Sequence, residues 1–454
     1  MKFVFFLGIG GIGMSALARY FKSAGKTVAG YDKTETPLTV ALQSEGIAVS
    51  FVDQVELLPS FVTDTSLNEQ TLIIYTPAIP KDHYQFNYIL NSGLHIVKRS
   101  VVLGWITKDS FTIAVAGTHG KTTTAAIITH ILKSAGINCT AFLGGVSTNY
   151  QSNFISGQYG DGSKPVIVVE ADEFDRSFLT LHPDIAVITS MDADHLDIYG
   201  EKKELEDSYR LFAKQVKPYG ILITKYGLPV NSTVPPVSYS IYSEADFCTT
   251  KISVLQHAYH FDISTPTGDY KNWSLGMPGL HNIENAIASI AVAFHMNISP
   301  EKIQHALHTF LGVKRRFEYH LKNDKCTYID DYAHHPEELR ATISSVKELY
   351  NEQKVTGVFQ PHLFSRTRDF ADGFAASLSL LDAVIMLDIY PARELPIEGV
   401  NSNMILDKIT ISDKQLCSKE AMLSEIKGRR PEVVLTLGAG DIDQLVERVK
   451  TVLQ

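Results

Sequence analysis

Short apolar runs alternate with longer segments of mixed polarity along most of the chain. The run Phe3–Leu7 predicts a first buried strand, and the segment 14–23 that follows has the periodicity of an amphipathic helix ending at Gly25. Further buried strands are predicted over residues 111–116, 166–169, 185–189, 326–329, 355–359, 383–387 and 433–437. Strands that alternate with helices in this way predict an α/β protein with mainly parallel sheets.

Two breaks divide this pattern into three predicted domains. The first is a short polar joint at 107–110, which follows an amphipathic helix ending near Ile106. The second lies at 312–314, after a helix with Ser299 as N-cap and Pro300 in its first turn. With 454 residues, and about 100 to 200 residues in an ordinary domain, we expect α/β domains over 1–108, 109–313 and 314–454.

A glycine-rich turn follows the first predicted strand. Gly8, Gly10 and Gly13 satisfy the spacing G-x-G-x-x-G, and a helix, a strand at 27–30 and then Asp32 come after them. This order is typical of a dinucleotide-binding unit, in which a diphosphate approaches the backbone closely. The turn does not identify the group beyond the phosphates, so nicotinamide, flavin and a nucleotide-sugar all stay open.

A second glycine turn, AGTHGKTTT at residues 116–124, follows another predicted strand. Its backbone N–H groups suit phosphate oxygens, Lys121 suits the outer phosphates, and the Thr122 hydroxyl suits Mg²⁺. The full Walker pattern is not present, because Val115 occupies the position of its first glycine. The turn predicts binding of a nucleoside triphosphate by Gly117, Thr118, His119, Gly120, Lys121, Thr122 and Thr123.

Acidic residues stand where the next two strands end. Glu170 directly follows the apolar run 166–169 and is the first candidate for a Mg²⁺ ligand beside the phosphate loop. The alternative is a solvated acidic loop. His195 lies among aspartates after the following strand, and is a candidate for a second metal or its water, although lone histidines are usually structural.

Composition narrows the class of protein. The net charge of −9 and a pI near 6.0 disfavour a nucleic-acid binder that relies on a basic surface. The N-terminal run imitates a secretion signal, but glycines interrupt it, and no other segment approaches the ~20 apolar residues of a membrane span. The four cysteines have no metal-binding spacing, so we expect buried thiols in a cytoplasmic protein without membrane insertion.

Ten motifs in order resemble the Mur ligases, the ATP-dependent amide-forming enzymes of bacterial cell-wall precursor synthesis. The resemblance covers the whole chain and rests on FLGIGGIGMSALA, TPAIP, AGTHGKTTT, EADEFD, DADHLD, PGLHNIENA, RRFE, DDYAHHP, FQPHLFSRTRDF and LGAGDI. It implies a Rossmann-like N-terminal domain for the UDP-sugar, a central P-loop ATPase domain with a mainly parallel sheet, and a Rossmann-like C-terminal domain for the amino acid. Oligomeric state is not readable from the sequence.

Within the family, the resemblance is strongest to the member that joins L-alanine to UDP-N-acetylmuramate in peptidoglycan precursor synthesis. It implies ATP and Mg²⁺, and activation of the lactyl carboxylate as an acyl phosphate, since a carboxylate does not react with an amine at neutral pH. Positioning and charge neutralisation then suffice without a protein nucleophile. A recycling ligase that joins a cell-wall tripeptide is the second reading. An oxidoreductase fused to an NTPase, and a non-catalytic nucleotide switch, are rivals from other classes.

The resemblance also carries over individual residues of the two nucleotide sites. For the adenine it implies His281, Asn282 and Asn285, although helix capping explains the asparagines equally well on spacing alone. Arg315 or Arg316 is expected to reach the ATP site from the third domain, and Arg315 is our choice. The residues expected to bind the nucleotide-sugar are Gly8, Gly10, Gly11, Gly13, Asp32, Thr76 and Arg99.

The amino-acid site is expected in the third domain. His334 would lie at the N-terminus of a helix that starts at Pro336, and either accepts the proton of the amine or lines the site. Arg366 and Arg368 are candidates for binding the carboxylate of the amino acid, Arg366 being also a predicted catalytic residue. Leu363 occupies a position where some members carry arginine, and Lys214 is not a secure counterpart of the modified lysine of several sister ligases.

Overall fold

The computed structural model describes residues 1–158, 164–192, 202–230, 232, 234–242, 244–392 and 394–454. The chain forms two compact units. The first unit contains Met1–Cys248 and Asn285–Ala306, and the second unit contains Thr249–Glu284 and Leu307–Gln454. In the described residues, no helix is both long and apolar enough to span a membrane.

Twenty-one strands are present in the described residues. In chain order they are β1 Phe3–Leu7, β2 Thr27–Tyr31, β3 Ala48–Ser50, β4 Thr71–Tyr75, β5 His95–Lys98, β6 Thr112–Ala116, β7 Cys139–Ser147, β8 Ser152–Ile155, β9 Val166–Glu170, β10 Ile185–Ile188, β11 Ile221–Lys225, β12 Val237–Ser240, β13 Phe247–Leu255, β14 Ala258–Thr265, β15 Gly268–Ser274, β16 Glu318–Lys322, β17 Thr327–Asp331, β18 Val355–Phe359, β19 Ala383–Met386, β20 Lys414–Leu416 and β21 Val433–Leu437.

The described α-helices alternate with the strands. They are α1 Ile12–Ser23, α2 Pro37–Ser44, α3 Ser60–Thr63, α4 Tyr84–Asn91, α5 Arg99–Lys108, α6 Lys121–Ser134, α7 Lys202–Lys214, α8 Leu280–His295, α9 Pro300–Thr309, α10 Pro336–Leu349, α11 Phe364–Leu378, α12 Asn403–Leu406, α13 Lys419–Arg429 and α14 Val446–Leu453. Short 3₁₀ helices span Val55–Leu57, Thr65–Gln70, Phe174–Thr180 and Asp441–Leu445.

The first sheet of the first unit is entirely parallel, in the order β3-β2-β1-β4-β5. Its central strand β1 is an apolar run, as expected for a strand covered on both faces. Leu7 at the end of β1 is paired with Tyr31 of β2 and Tyr75 of β4. This register brings the turns that follow the three strands to one edge of the sheet.

The second sheet places the phosphate loop at its own carboxyl edge. Within the first unit its strand order is β12-β11-β10-β6-β9-β7-β8, and all of these neighbours are parallel except β7 and β8. Val115 of β6 pairs with Glu170 of β9, while Ala116 pairs with Ile188 of β10. The segments after β6, β9 and β10 therefore meet.

Helix α1 joins the two sheets of the first unit. Asn153 of β8 is fully buried, accepts from the Arg19 guanidinium and donates to the carbonyl of Ile12 at 2.6 Å. Beside this contact the Tyr20 ring packs against Phe142, at 5.6 Å between ring centroids. Aromatic packing and a satisfied buried amide fix the helix that follows the first glycine turn against the sheet of the phosphate loop.

The second unit contains the β14–β15 hairpin and a third sheet. The order of the third sheet is β16-β17-β21-β18-β19-β20, parallel except for β16. Leu437 at the end of β21 pairs with both Asp331 and Phe359. The turns after β17 and β18, which carry the remaining motifs, consequently lie side by side.

The predicted α/β class with mainly parallel sheets is confirmed, and no predicted strand end differs from the structure by more than two residues. The boundaries at 108 and 313 stay a prediction. All four cysteines are free, as expected, but only Cys139 and Cys326 are buried. Cys248 and Cys417 are half-buried, so the predicted burial was wrong for these two thiols.

Candidate functional site

The first glycine turn is built so that side chains crowd its backbone. Gly8 has φ +86°, and a Cβ there would lie 2.6 Å from the Thr76 methyl group. The Gly10 N–H donates to Asp32 Oδ2 at 2.7 Å, and a Cβ on Gly10 would lie 2.8 Å from the same oxygen. Only glycine fits at these two positions, and Asp32 closes the turn through the backbone.

Arg99 connects this turn to the acidic segment after β9. A Cβ on Gly13 would lie 2.7 Å from Arg99 Nη1, and Arg99 Nη2 lies 3.4 Å from Asp172 Oδ2. Gly11 is different, because a Cβ there would be 3.6 Å from its nearest neighbour, the Gly8 carbonyl. The structure thus brings all seven residues predicted for the nucleotide-sugar to one edge of the first sheet.

The phosphate loop rests on the end of β10. Gly117 and Gly120 have φ +136° and +82°, conformations that favour glycine. The Thr189 hydroxyl donates to the His119 carbonyl at 2.5 Å, and the His119 N–H donates to Ser190 Oγ at 2.8 Å. Helix α6 begins at Lys121 with Gly120 as its N-cap, so the N–H groups of its first turn remain for an anion.

Lys121 is held inside the loop. Its Nζ donates to the Gly117 carbonyl at 2.6 Å and to Glu173 Oε1 at 2.9 Å. The Glu173 side chain is only 1% exposed, which makes this a buried ion pair. Burial by itself lowers the pKa of Lys121, but the nearby carboxylates of Glu173, Glu170 and Asp172 outweigh it, so the pKa is raised and the ammonium stays charged.

Two oxygen ligands suited to Mg²⁺ meet at the start of α6. The Thr122 hydroxyl donates to Glu170 Oε2 at 2.7 Å, and the same oxygen accepts the Gly144 N–H at 2.9 Å. A hydroxyl and a carboxylate beside a phosphate loop are the donor types that Mg²⁺ prefers, so these residues fit the metal. Across the described ranges no group of three His, Cys, Asp or Glu side chains forms a metal cage, and His195 lies outside the described residues.

The residues predicted to bind adenine fall in different units. A Cβ on Gly120 would contact the Asn285 side chain, which places Asn285 against the phosphate loop in the first unit. In the second unit, Asn282 donates to the Pro278 carbonyl at 2.6 Å. Burial, aided by the charge of Arg316, lowers the pKa of His281 to about 4, so this imidazole is neutral at pH 7.

The Arg315 guanidinium is hydrogen-bonded to residues of the third sheet and of the turn that follows it. Its Nε donates to Asp330 Oδ2 at 3.2 Å and its Nη2 donates to the Gly438 carbonyl at 2.6 Å. Arg316 has a longer contact, 3.9 Å from its Nη1 to Glu338, and its guanidinium is close enough to lower the pKa of His281. Of the two arginines left open by the sequence, Arg316 is therefore the less constrained.

The DDYAHHP turn follows β17 and starts α10, as the proline predicted. His335 is the N-cap and its Nδ1 accepts the Glu337 N–H at 3.4 Å. His334 Nδ1 lies 3.0 Å from the Tyr332 carbonyl. A carbonyl only accepts, so the neutral imidazole carries its proton on Nδ1 and leaves Nε2 as an acceptor. In this tautomer the lone pair of Nε2 is the one that can take a proton from an ammonium group.

The two candidate arginines differ in environment. Arg368 is exposed, and its Nε donates to the neighbouring Asp369 at 2.7 Å. Arg366 is half-buried in the first turn of α11, which begins after Leu363. Helix α11 has a kink at Phe370, where the ring packs 4.9 Å from that of His335. Helix α11 therefore contacts the DDYAHHP turn in the second unit, and Arg366 is the less exposed of the two arginines.

Three groups that support the site were not predicted from the sequence. Glu173 pairs with Lys121, Thr189 and Ser190 bond the phosphate loop, and Glu394 caps the turn before Arg366. The threonine and serine end an apolar run beside the loop, which was a usable signal. Glu394 lies in a loop without hydrophobic periodicity, so its contact with Ser365 could not be predicted.

Comparisons with known proteins match all three parts of the chain. Residues 4–111 match the Mur ligase family catalytic domain, residues 115–293 the Mur ligase middle domain, and residues 315–440 the Mur ligase glutamate ligase domain. The UDP-N-acetylmuramate–L-alanine ligase of Christiangramia forsetii is 52% identical over 100% of this chain and 98% of its own length. That of Flavobacterium johnsoniae is 50% identical, over 99% and 97%.

Solved structures resemble the whole chain as well. The UDP-N-acetylmuramate-alanine ligase of Thermotoga maritima has a TM-score of 0.83 and 27% identity, covering 99% of this chain and 98% of its own. A murein peptide ligase of Psychrobacter arcticus has a TM-score of 0.71 and 24% identity, covering 100% and 99%.

Proposed function

The chain belongs to the Mur ligase family, and we propose that it joins L-alanine to the lactyl carboxylate of UDP-N-acetylmuramate while ATP is converted to ADP and phosphate. The fold is the three-domain α/β fold of this family, and the enzyme is an ATP-dependent amide-forming ligase. The observation that carries the proposal is the phosphate loop with Lys121, Thr122 and Glu170 gathered at one sheet edge, in a chain about 50% identical to L-alanine ligases over its full length. The recycling ligase is the weaker candidate, because the relatives that are about 50% identical to this chain over its full length are L-alanine ligases.

The residues of the phosphate loop suit phosphoryl transfer. Lys121 places a charged ammonium among the loop carbonyls, and the N–H groups at the start of α6 point to the same space. Thr122 and Glu170 would hold Mg²⁺, which when bound neutralises charge on the phosphate oxygens. The lactyl carboxylate accepts the γ-phosphoryl group and becomes an acyl phosphate, which then loses phosphate as the amine attacks.

Acceptance of a proton from the amine is the role proposed for His334. Its Nε2 is an acceptor in the tautomer set by the Tyr332 carbonyl, and an ammonium group must lose a proton before it attacks. The carboxylate of L-alanine is the fixed handle of a small amino acid, and Arg366 is proposed to bind it. His195 as a metal ligand, the adenine contacts, a cytoplasmic location and the domain boundaries remain part of the proposal.

The function is tested by phosphate release. The purified chain is given ATP, Mg²⁺ and UDP-N-acetylmuramate with L-alanine, glycine, L-serine or a cell-wall tripeptide in separate reactions. We expect phosphate release to be fastest with L-alanine and to need all substrates. A preference for the tripeptide would support the recycling ligase. Binding of a nicotinamide cofactor, followed by its fluorescence in a separate titration of the chain, would support the oxidoreductase.

Gly11→Val is expected to raise the KM for UDP-N-acetylmuramate at least tenfold. A Cβ at this position meets no close neighbour in the protein, so the added side chain obstructs the diphosphate rather than the turn. Gly10→Val is the comparison, because its Cβ would collide with Asp32 and Thr39 and should lower the melting temperature too. Steady-state kinetics with each substrate varied provide the check. An equal rise in the KM for ATP would show that the domains are assigned wrongly.

Arg366→Ala is expected to raise the KM for L-alanine at least about tenfold, equivalent to roughly 1.4 kcal/mol. The guanidinium binds both oxygens of a carboxylate, and alanine cannot replace it. The matched variant is Arg368→Ala, which removes an exposed arginine paired with Asp369 and should leave this KM unchanged. A defect in Arg368→Ala alone would transfer the role to that residue.

A further inference from the structure

The turn that precedes Arg366 is hydrogen-bonded to a second segment of the chain, which contains Tyr390 and Glu394. The Leu363 N–H donates to the Tyr390 carbonyl at 3.0 Å, and the Tyr390 N–H donates to the Pro361 carbonyl at 2.8 Å. Glu394 adds a side-chain contact, since one of its carboxylate oxygens accepts the Ser365 N–H at 2.9 Å and the other accepts the Ser365 hydroxyl at 2.5 Å. Both oxygens of this carboxylate are therefore used on the residue directly before Arg366.

The turn adopts a backbone conformation that a leucine disfavours. Leu363 has φ +68° and is the N-cap of α11. Left-handed conformations at residues other than glycine persist when the surrounding contacts impose them. Here the contacts are the bonds from Tyr390 and Glu394, together with the Thr367 hydroxyl, which donates to the Leu363 carbonyl at 2.8 Å.

The same contacts restrict His362, the residue before Leu363. The His362 ring stacks on Tyr390, with 5.9 Å between centroids and 19° between planes. The centroid of the His334 ring lies 6.2 Å from that of His362, with 83° between the ring planes. The same segment thus fixes His362 and the start of α11 relative to the histidine proposed to accept the proton.

Glu394 is suited to a permanent acceptor role. It is half-buried, and although burial raises its pKa, the hydrogen bonds from Ser365 outweigh burial and lower the pKa below its ordinary value. The carboxylate is ionised at pH 7 and holds the N–H at the start of a helix, where a negative charge is also favoured by the helix dipole.

We propose that Glu394 is a positioning residue of the amino-acid site, which holds the Ser365 turn so that Arg366 meets the carboxylate of L-alanine. Glu394 acts through the turn and does not touch the substrate. This inference rests on the proposed function, since it assumes that the third domain binds an amino acid. Glu394 lies outside the sequence motifs from which that function was inferred.

The test compares Glu394→Ala with Glu432→Ala. Glu432 also accepts a backbone N–H, that of Lys354 at 2.8 Å, at the opposite, amino end of the third sheet. Glu394→Ala is expected to raise the KM for L-alanine at least tenfold, with kcat within threefold and the KM values for ATP and UDP-N-acetylmuramate within twofold of wild type. Glu432→Ala should leave all four constants near wild type.

Glu394→Gln tests whether the effect of Glu394→Ala comes from losing the hydrogen bonds to Ser365 or from a general loss of structure. Its amide oxygen can accept the Ser365 N–H and its amide nitrogen can donate to the Ser365 hydroxyl, so most of the L-alanine affinity should return. Equal KM values for Glu394→Ala and Glu432→Ala, or a glutamine variant as weak as the alanine variant, would overturn the inference. Absence of L-alanine ligation by the wild-type enzyme would instead overturn the proposed function.

Discussion

Lys121→Ala is expected to lower kcat about a thousandfold. The ammonium is a positive charge inside the loop that receives the outer phosphates, and groups that stabilise charge on a transferring phosphoryl group have effects of this size. Its position in the loop is set by the Gly117 carbonyl and by Glu173. Single-turnover phosphate release with saturating substrates measures the loss directly.

The same substitution should also destabilise the first unit, which calls for a matched variant. Removing Lys121 leaves Glu173 buried without its ion-pair partner, and breaking a buried pair from one side costs about 3 to 5 kcal/mol. Lys121→Ala with Glu173→Ala removes both charges and should recover much of the melting temperature while activity stays low. Near-normal turnover in this folded double variant would refute the assignment of the phosphate loop.

Glu170→Gln is expected to lower kcat about a hundredfold and to raise the Mg²⁺ concentration needed for half-maximal activity. The amide keeps the shape, and it can still accept the Gly144 N–H that Glu170 accepts now. What it loses is the negative charge beside the Thr122 hydroxyl, and a neutral amide oxygen is a weaker Mg²⁺ ligand than a carboxylate.

A magnesium titration of activity, with ATP binding measured separately, checks this result. The comparison is Asp172→Asn, which removes a charge from the same acidic segment at a residue that pairs with Arg99 instead. If Glu170→Gln has an unchanged magnesium requirement while Asp172→Asn or Glu173→Gln has an increased one, the metal ligand is elsewhere in the segment.

Much of the fold follows from the sequence because parallel strands buried on both faces leave continuous apolar runs. β18 and β21 were predicted with the bounds that the structure has, and the glycine turns were placed at the ends of β1 and β6. The gathering of Gly8 and Asp32 also followed, since residues after neighbouring parallel strands share an edge. Thr76 was indicated only by the family resemblance, because the strand Thr71–Tyr75 before it was not predicted. Strand ends were less predictable, because hydrogen bonding continues past the apolar run, as at Glu170 in β9.

The supporting contacts of the site could not be predicted from the sequence. The bond from Glu394 to Ser365 joins residues 29 apart through a loop, and the contact between Arg19 and Asn153 joins residues 134 apart. No local periodicity encodes such pairs. The hydrogen bonds from Arg315 to Asp330 and to the Gly438 carbonyl were also unpredictable. The RRFE motif contains two adjacent arginines, and it does not show which of them bonds to the third sheet.

The central claim is that the lactyl carboxylate is activated by phosphoryl transfer from ATP, and oxygen labelling tests it most directly. UDP-N-acetylmuramate carrying ¹⁸O in both carboxylate oxygens is turned over with ATP and L-alanine, and the phosphate is analysed by mass spectrometry. One carboxylate oxygen attacks the γ-phosphorus and leaves with phosphate when the amine attacks the acyl carbon. The account predicts one ¹⁸O in each phosphate released; unlabelled phosphate, or label found in AMP, would contradict it.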